Sequence, residues 1–262
     1  MDLKDMIRSS EKAILDMMDR LDPPCCLFCG NAGFEHMDVC HTCYQAWPLI
    51  IAPCPRCALG WAGRVCAICS TTPPLWQAAV IPFRYMAPMA TLITDLKYQA
   101  RFMAARILAR SFCDGLNAVS PPHDKPQLLI PIPLHYTKQR RRGFNQTCVL
   151  GRPVARHLGI PLAPHALRRH GIAPPQVGLS GAARRRNVKD AFIANTAVRG
   201  MHVALFDDVV TTGATAMAAS IALLEAGAAR VDLWAVARAE GPLTGLRSAR
   251  GLPRAQEEKG ST

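Results

Sequence analysis

Hydrophobic and polar positions change pattern twice along the chain. In residues 1–22, charges alternate with Leu3, Met6, Ile7, Ile14, Leu15 and Met18, a spacing that predicts an amphipathic helix. Residues 25–72 carry few apolar side chains, and Thr71-Thr72-Pro73-Pro74 then reads as a linker. Beyond it, residues 77–83 predict a strand. Residues 88–117 carry a helical pattern on Leu92, Ile93, Leu96, Ile107 and Leu108. A polar, proline-rich loop over 120–127 leads to a second strand, Leu128-Leu129-Ile130-Pro131-Ile132. Residues 203–206 predict a buried strand, 214–226 a helix and 231–236 a further strand. Strands alternating with helices predict an α/β fold with a parallel sheet. The expected organisation is a helical segment (1–24), a cysteine-rich module (25–72), an α/β domain (75–239) and a mobile tail (240–262) rich in Gly, Arg and Glu. No apolar run approaches the roughly 18 residues that span a bilayer, and the N-terminal segment has neither the apolar core nor the cleavage site of a signal peptide. A soluble cytoplasmic protein without membrane insertion is expected.

Cysteine gives the low-hydrophobicity module its chemistry. Nine of the 11 cysteines fall between Cys25 and Cys69, and Cys113 and Cys148 outside it read as ordinary thiols. Eight of the nine form Cys-x2-Cys knuckles: Cys26 and Cys29, Cys40 and Cys43, Cys54 and Cys57, Cys66 and Cys69. A tight turn lets both thiolates of a knuckle face one ion, and two knuckles complete a closed tetrahedral site. Two structural zinc ions are expected. Sequential pairing gives one zinc to Cys26, Cys29, Cys40 and Cys43, and the other to Cys54, Cys57, Cys66 and Cys69. An interleaved pairing uses the same residues, and Cys25, His36 or His41 are substitutes of lower rank. With so few apolar residues, metal binding should supply most of the module's folding free energy.

Charge adds a partner class. The formal net charge is +12, which suits a phosphorylated small molecule or nucleic acid, although arginine-rich composition alone also produces such a surplus. Two clusters stand out: Lys138, Arg140, Arg141 and Arg142, then Arg184, Arg185 and Arg186. Aromatic residues make up only 6%, which argues against an extended base-stacking platform. Phe28, Tyr44, Trp47 and Trp61 offer a few stacking sites, but packing around zinc is the plainer use for them.

The most informative stretch is Val203-Ala-Leu-Phe-Asp207-Asp208-Val-Val-Thr211-Thr212-Gly213-Ala214-Thr215. Two carboxylates follow four apolar strand residues, at the sheet edge where open α/β folds place ligands. The next loop offers backbone N–H groups, hydroxyls and a helix N-terminus to a phosphate, and Gly213 permits close approach. Adjacent acids suit the vicinal hydroxyls of a ribose, with or without Mg²⁺. The loop is neither a P-loop nor a dinucleotide fingerprint; helix capping alone would not need the whole pattern.

This pattern resembles the motif that binds 5-phosphoribosyl-1-pyrophosphate (PRPP) in type I phosphoribosyltransferases. Further segments narrow the resemblance to the ComF family (also called GntX-like), proteins associated with DNA uptake and competence. These segments are Cys26-Leu-Phe-Cys29-Gly, Leu96-Lys97-Tyr98, Pro131-Ile-Pro-Leu134-His135, Arg141-Arg142-Gly143-Phe144-Asn145-Gln146, Gln176-Val-Gly-Leu179 and Arg186-Asn187-Val188 with Ala191-Phe192. Ala173 departs from the threonine that relatives often carry before Gln-x2-Leu.

The resemblance implies a type I phosphoribosyltransferase-like parallel sheet with helices on both faces, preceded by a double zinc ribbon. It implies Asp207 and Asp208 as catalytic carboxylates, and Thr211, Thr212, Gly213, Ala214 and Thr215 as the phosphate loop. Lys97, Arg101 and the run Lys138 to Arg142, above all Arg141 and Arg142, become candidates to neutralise pyrophosphate. Pro131 or Pro133 is a candidate for a cis bond, and His135 reads as a loop residue rather than a base. Asn145, Gln146, Gln176, Arg186 and Asn187 correspond to covers that exclude water. Three functions follow from the resemblance: transfer of phosphoribose from PRPP with Mg²⁺, in nucleotide and nucleoside metabolism; single-stranded DNA binding during uptake, with a competence helicase as partner; or PRPP sensing without turnover.

Overall fold

The computed structural model describes residues 23–119, 125–169, 191–241 and 243. The expected N-terminal helix, the segment with Ala173, Gln176, Arg184, Arg185, Arg186 and Asn187, and most of the tail lie outside the described residues. Among the described residues no helix is long and apolar enough to cross a membrane.

The sheet contains β1 (Ala79–Val80), β2 (Phe83–Arg84), β3 (Leu128–Pro131), β6 (His202–Val210) and β7 (Arg230–Arg238). Its order is β1-β7-β6-β3, with β2 also on β7, and every pairing is parallel. The central strands are apolar on both faces, as a sheet covered twice requires. Residues 77–83 give two short strands rather than one, broken at Ile81-Pro82, where proline lacks an N–H. The helical stretch over 88–117 likewise splits into α3 (Met89–Gln99) and α4 (Phe102–Val119) at Ala100, whose left-handed backbone (φ 52°) ends the first helix. The cis bond falls at Ala87-Pro88, not at Pro131 or Pro133.

After β3 come α5 (Tyr136–Arg142) and α6 (Gln146–Leu158). An antiparallel pair, β4 (Leu167–Arg169) with β5 (Phe192–Ala194), precedes β6, and α7 (Ala214–Glu225) joins β6 to β7. Two cores result. Leu92, Ile107, Phe112, Leu150 and Val154 from α3, α4 and α6 bury Ala204, Phe206 and Trp234 on one face. α7 and the β4–β5 pair bury Val203, Leu205 and Leu233 on the other. Helices α6 and α7 thus leave the adjacent strands β3 and β6 toward opposite faces, which opens a crevice at their C-terminal ends.

The cysteine-rich module has no core of its own. Cys26 and Cys40 belong to the α3/α4 core, whereas Cys54, Cys57, Cys66 and Cys69 belong to the α7 core. Between them Leu49 pairs antiparallel with Phe83, held by Ile50 N–H to the Pro82 carbonyl and Arg84 N–H to the Pro48 carbonyl, both 2.8 Å. The module therefore straddles the sheet edge and covers its unpaired groups.

Candidate functional site

The knuckles group sequentially, Cys26, Cys29, Cys40 and Cys43 in one set and Cys54, Cys57, Cys66 and Cys69 in the other, with all Sγ atoms of a set within 4.8 Å of one another. Tetrahedral zinc with Zn–S near 2.3 Å needs sulfurs about 3.8 Å apart. The separations Cys29–Cys40 (3.5 Å) and Cys57–Cys66 (3.6 Å) meet that, so both sets fit a closed structural zinc site. In each set the second knuckle opens a five-residue helix, α1 (His41–Gln45) after Cys40 and α2 (Ala67–Thr71) after Cys66. Backbone donors reach the sulfurs: Cys43 N–H to Cys40 Sγ (3.4 Å) and Cys66 N–H to Cys54 Sγ (3.3 Å). The thiols share protons. Cys57 is lowered to about 5, chiefly by the hydrogen bond from Cys69, and that same contact raises Cys69. A divalent cation takes the place of such shared protons. Cys25, His36 and His41 stand outside both sets.

The aromatic residues of the first ribbon are structural. The buried Trp47 donates to Ser111 Oγ (2.9 Å), Tyr44 donates to Asp114, and Phe28 and Trp47 meet edge to face at 5.8 Å. Trp61 departs from this and is 53% exposed.

Strand β6 runs further than the apolar run suggested, because Asp207, Val209 and Val210 stay in register with Ala235, Ala237 and Arg238 of β7. Its in–out alternation slips at the two acids: Val203 and Leu205 share a core with Val210, while Ala204 and Phe206 share theirs with Val209. The carboxylates serve the displaced backbone, Asp207 Oδ1 accepting from Asp208 N–H and Asp208 Oδ1 from Val209 N–H, both 2.8 Å.

Lys97 of α3 closes on the buried Asp208, with Nζ 2.8 Å from Oδ2. The separation is that of an ion pair, and no aligned hydrogen bond reaches Oδ2 from the described residues. Burial first, then the Asp208 charge, pushes the Asp207 carboxyl well above its usual range. Asp207 and Thr211, Thr212, Gly213, Ala214 and Thr215 line one pocket at the start of α7. Gly213 sits at φ 76°, and a Cβ there would lie 2.9 Å from Leu243 and 3.4 Å from Trp76.

Motifs distant in sequence meet at the end of α3. The guanidinium of Arg142 lies 5.1 Å from the ring centre of Tyr98, the residue after Lys97, and donates to Gln146 Oε1 (3.0 Å); its buried Nε has no hydrogen-bond partner among the described residues. Phe102 and Phe144 pack at 5.2 Å. Asn145 caps α6, and both Asn145 Nδ2 (3.2 Å) and Thr147 Oγ1 (2.7 Å) donate to the Ile132 carbonyl, which fixes the turn after β3. His135 caps α5. Arg141 is exposed on α5, and Arg101 is paired with Asp95 (3.0 Å) rather than turned to the acids.

Three residues escaped the sequence reading. Arg169 of β4 lies over the Phe192 ring (5.2 Å); burial lowers its pKa against the opposing Asp207 charge, and its buried Nε has no partner among the described residues. Trp76, fully buried, backs Gly213. Arg238, 2% exposed, ends β7 behind the loop and donates to the Val210 (3.1 Å) and Thr211 (2.8 Å) carbonyls. The only signal for the last was a cation closing the apolar run Leu233–Ala237 at the end of β7.

No protein-family model matches the chain. Curated relatives do. The DNA utilization protein YhgH of Salmonella typhi is 33% identical over 221 residues, covering 82% of this chain and 97% of its own. Competence protein F of Haemophilus influenzae is 32% identical over 225 residues (82% and 96%), and competence protein ComFC of Bacillus subtilis 26% over 202 (73% and 80%). Among solved structures, the glutamine PRPP amidotransferase from B. subtilis overlaps 50% of this chain and 24% of its own at 20% identity and a TM-score of 0.35. Adenine phosphoribosyltransferase from Leishmania tarentolae overlaps 52% and 71% at 15% identity and a TM-score of 0.33. With two cysteine tetrads ahead of a parallel sheet, and a third of its residues shared with YhgH over most of both chains, this protein belongs to the ComF family of competence and DNA utilization proteins.

Proposed function

We propose that the crevice at the end of β6 binds PRPP, or another ligand ending in ribose 5-phosphate, together with Mg²⁺, and that this phosphoribosyltransferase-like site serves DNA uptake or nucleotide metabolism. One observation carries the reading: Asp207 and the whole run from Thr211 to Thr215 line a single pocket at the N-terminus of α7. Backbone N–H groups and hydroxyls there suit a 5-phosphate. Asp207 and Asp208 suit the ribose hydroxyls. In this reading Lys97, 2.8 Å from Asp208, and Arg142, over the Tyr98 ring, neutralise pyrophosphate charge, with Arg141 as an exposed cation. Mg²⁺, when bound with the ligand, supplies the remaining charge neutralisation. In the transfer reading, a nitrogen nucleophile forms its bond at ribose C1 as the bond to pyrophosphate breaks, and pyrophosphate leaves with the electron pair. The chain then contributes positioning and charge rather than a covalent intermediate.

Equilibrium binding of PRPP with Mg²⁺ to Asp207→Asn/Asp208→Asn tests the reading. Binding should be lost while zinc content stays at two per chain. Affinity like that of the unmodified protein would overturn the ribose assignment.

A second reading is supported by the exposed Trp61, whose carbonyl accepts from Arg64 N–H (3.1 Å), by Arg84 near Gly60, and by the relatives' names. In it, single-stranded DNA lies across the second ribbon. A PRPP-sensing regulator needs only the first site, and a competence helicase suits either as partner. Salt-dependent DNA binding that Trp61→Ala weakens, with PRPP binding intact, would favour the DNA reading.

A further inference from the structure

The knuckle Cys54-Pro55-Arg56-Cys57 offers four consecutive carbonyls, and each has a donor. Ala58 N–H binds the Cys54 carbonyl (2.8 Å) within the turn. The other three donors come from the α/β half: Ala79 N–H on Pro55 (2.8 Å), Trp76 Nε1–H on Arg56 (2.7 Å) and Arg238 Nε–H on Cys57 (3.2 Å). Two of these side chains also touch the loop that lines the pocket. Trp76 backs Gly213. Arg238 turns its remaining nitrogens to the carbonyls of Val210 and Thr211, and to those of Ala239 (2.5 Å) and Gly241 (2.8 Å). One buried guanidinium thus holds a metal knuckle, the root of the phosphate loop and the chain beyond β7 at once. Only a forked donor with this many N–H groups can do so, and a lysine cannot. A zinc ion with four thiolates carries a net charge of −2, half of which the Arg238 cation offsets in a place closed to water.

We propose that Arg238 is a positioning residue that couples zinc in the second cysteine cluster to the shape of the Thr211–Thr215 loop, so that this zinc governs ligand binding although it lies outside the pocket. The coupling builds on the phosphoribosyl reading, but its effect on the loop stands apart from the ligand's identity. The first cluster, packed against α4 on the other face, shares none of these contacts among the described residues.

Hydrogen exchange and calorimetry on the full-length, zinc-loaded protein test the proposal together. In Arg238→Lys and Arg238→Met, amides of residues 210–215 should exchange at least about tenfold faster, and PRPP–Mg²⁺ should bind about 10–100-fold more weakly, the range seen when a group behind a metal ligand is changed. By reciprocity, saturating PRPP should raise the zinc affinity of the second cluster, read by equilibrium competition with a chelator, and not that of the first. If Arg238→Met fails to fold, Arg238→Lys and the zinc-affinity comparison on the unmodified protein decide. Unchanged loop exchange in a folded Arg238 variant, or equal effects of PRPP on both clusters, would overturn the coupling. Loop exchange that responds to Arg238 in a protein that binds no PRPP would sink the phosphoribosyl reading and leave the coupling standing.

Discussion

Asp207 and Asp208 are neighbours with different circumstances. Asp208 is buried against Lys97, whereas Asp207 lines the pocket and its carboxyl titrates high because of burial and the charge beside it. A raised carboxyl favours the protonated folded state. Below the unfolded value of roughly 3.9 both states hold the proton. As pH rises past it, the unfolded chain ionises first and stability falls. Asp207→Asn removes that cost, so thermal melting of the ligand-free protein at neutral pH should shift upward. A drop in melting temperature would contradict the environment assigned to Asp207. Lys97 should behave oppositely. Lys97→Met strands a buried carboxylate and should destabilise by about 3–5 kcal/mol in denaturant unfolding, and adding Asp208→Asn should restore part of it. The importance of both acids was legible from their place after an apolar run. Their inequality was not, because the partner, Lys97, arrives from a helix more than a hundred residues earlier.

Elements were legible in proportion to how local their causes are. The cysteine knuckles follow from local spacing, but their sequential pairing, which spacing left beside an interleaved alternative, is given by the fold. Strand β6 was placed but cut short at Phe206, since pairing with β7 rather than hydrophobicity carries it through the acids to Val210. The break between α3 and α4 is set by one left-handed alanine that no periodicity marks. Arg238, Trp76 and Arg169 were missed for the same physical reason: each acts through contacts between elements distant in sequence, as with Arg238 and Cys57, 181 residues apart. The turn between β6 and α7 offers its own test. Gly213→Ala adds a Cβ 2.9 Å from Leu243 at φ 76°. It should destabilise by about 1–2 kcal/mol from backbone strain alone and weaken PRPP binding by more than the melting change explains. Unaltered affinity would mean that the ligand does not approach that backbone.

At the scale of the whole molecule, the ribbons are parts of the cores rather than an appendage. One cysteine tetrad packs with the helices on one face of the sheet, the other with α7, and the linker between them pairs with the edge strand. The sequence supplied the metal chemistry of this arrangement but not its position, which depends on carbonyl and side-chain contacts made only after the sheet exists. Stripping zinc with a chelator should therefore lower the melting temperature of the whole protein and broaden its transition, instead of melting a small module while the sheet transition stays put. Differential scanning calorimetry distinguishes the two, and an unchanged main transition would contradict the shared cores. The central claim concerns the pocket at the end of β6, and calorimetric titration of PRPP with Mg²⁺ into the zinc-loaded protein tests it most directly. Saturable binding of one PRPP per chain, lost in Asp207→Asn/Asp208→Asn, is expected. No saturable heat from a folded protein holding two zinc ions, over the concentrations at which phosphoribosyl ligands bind such loops, would contradict it.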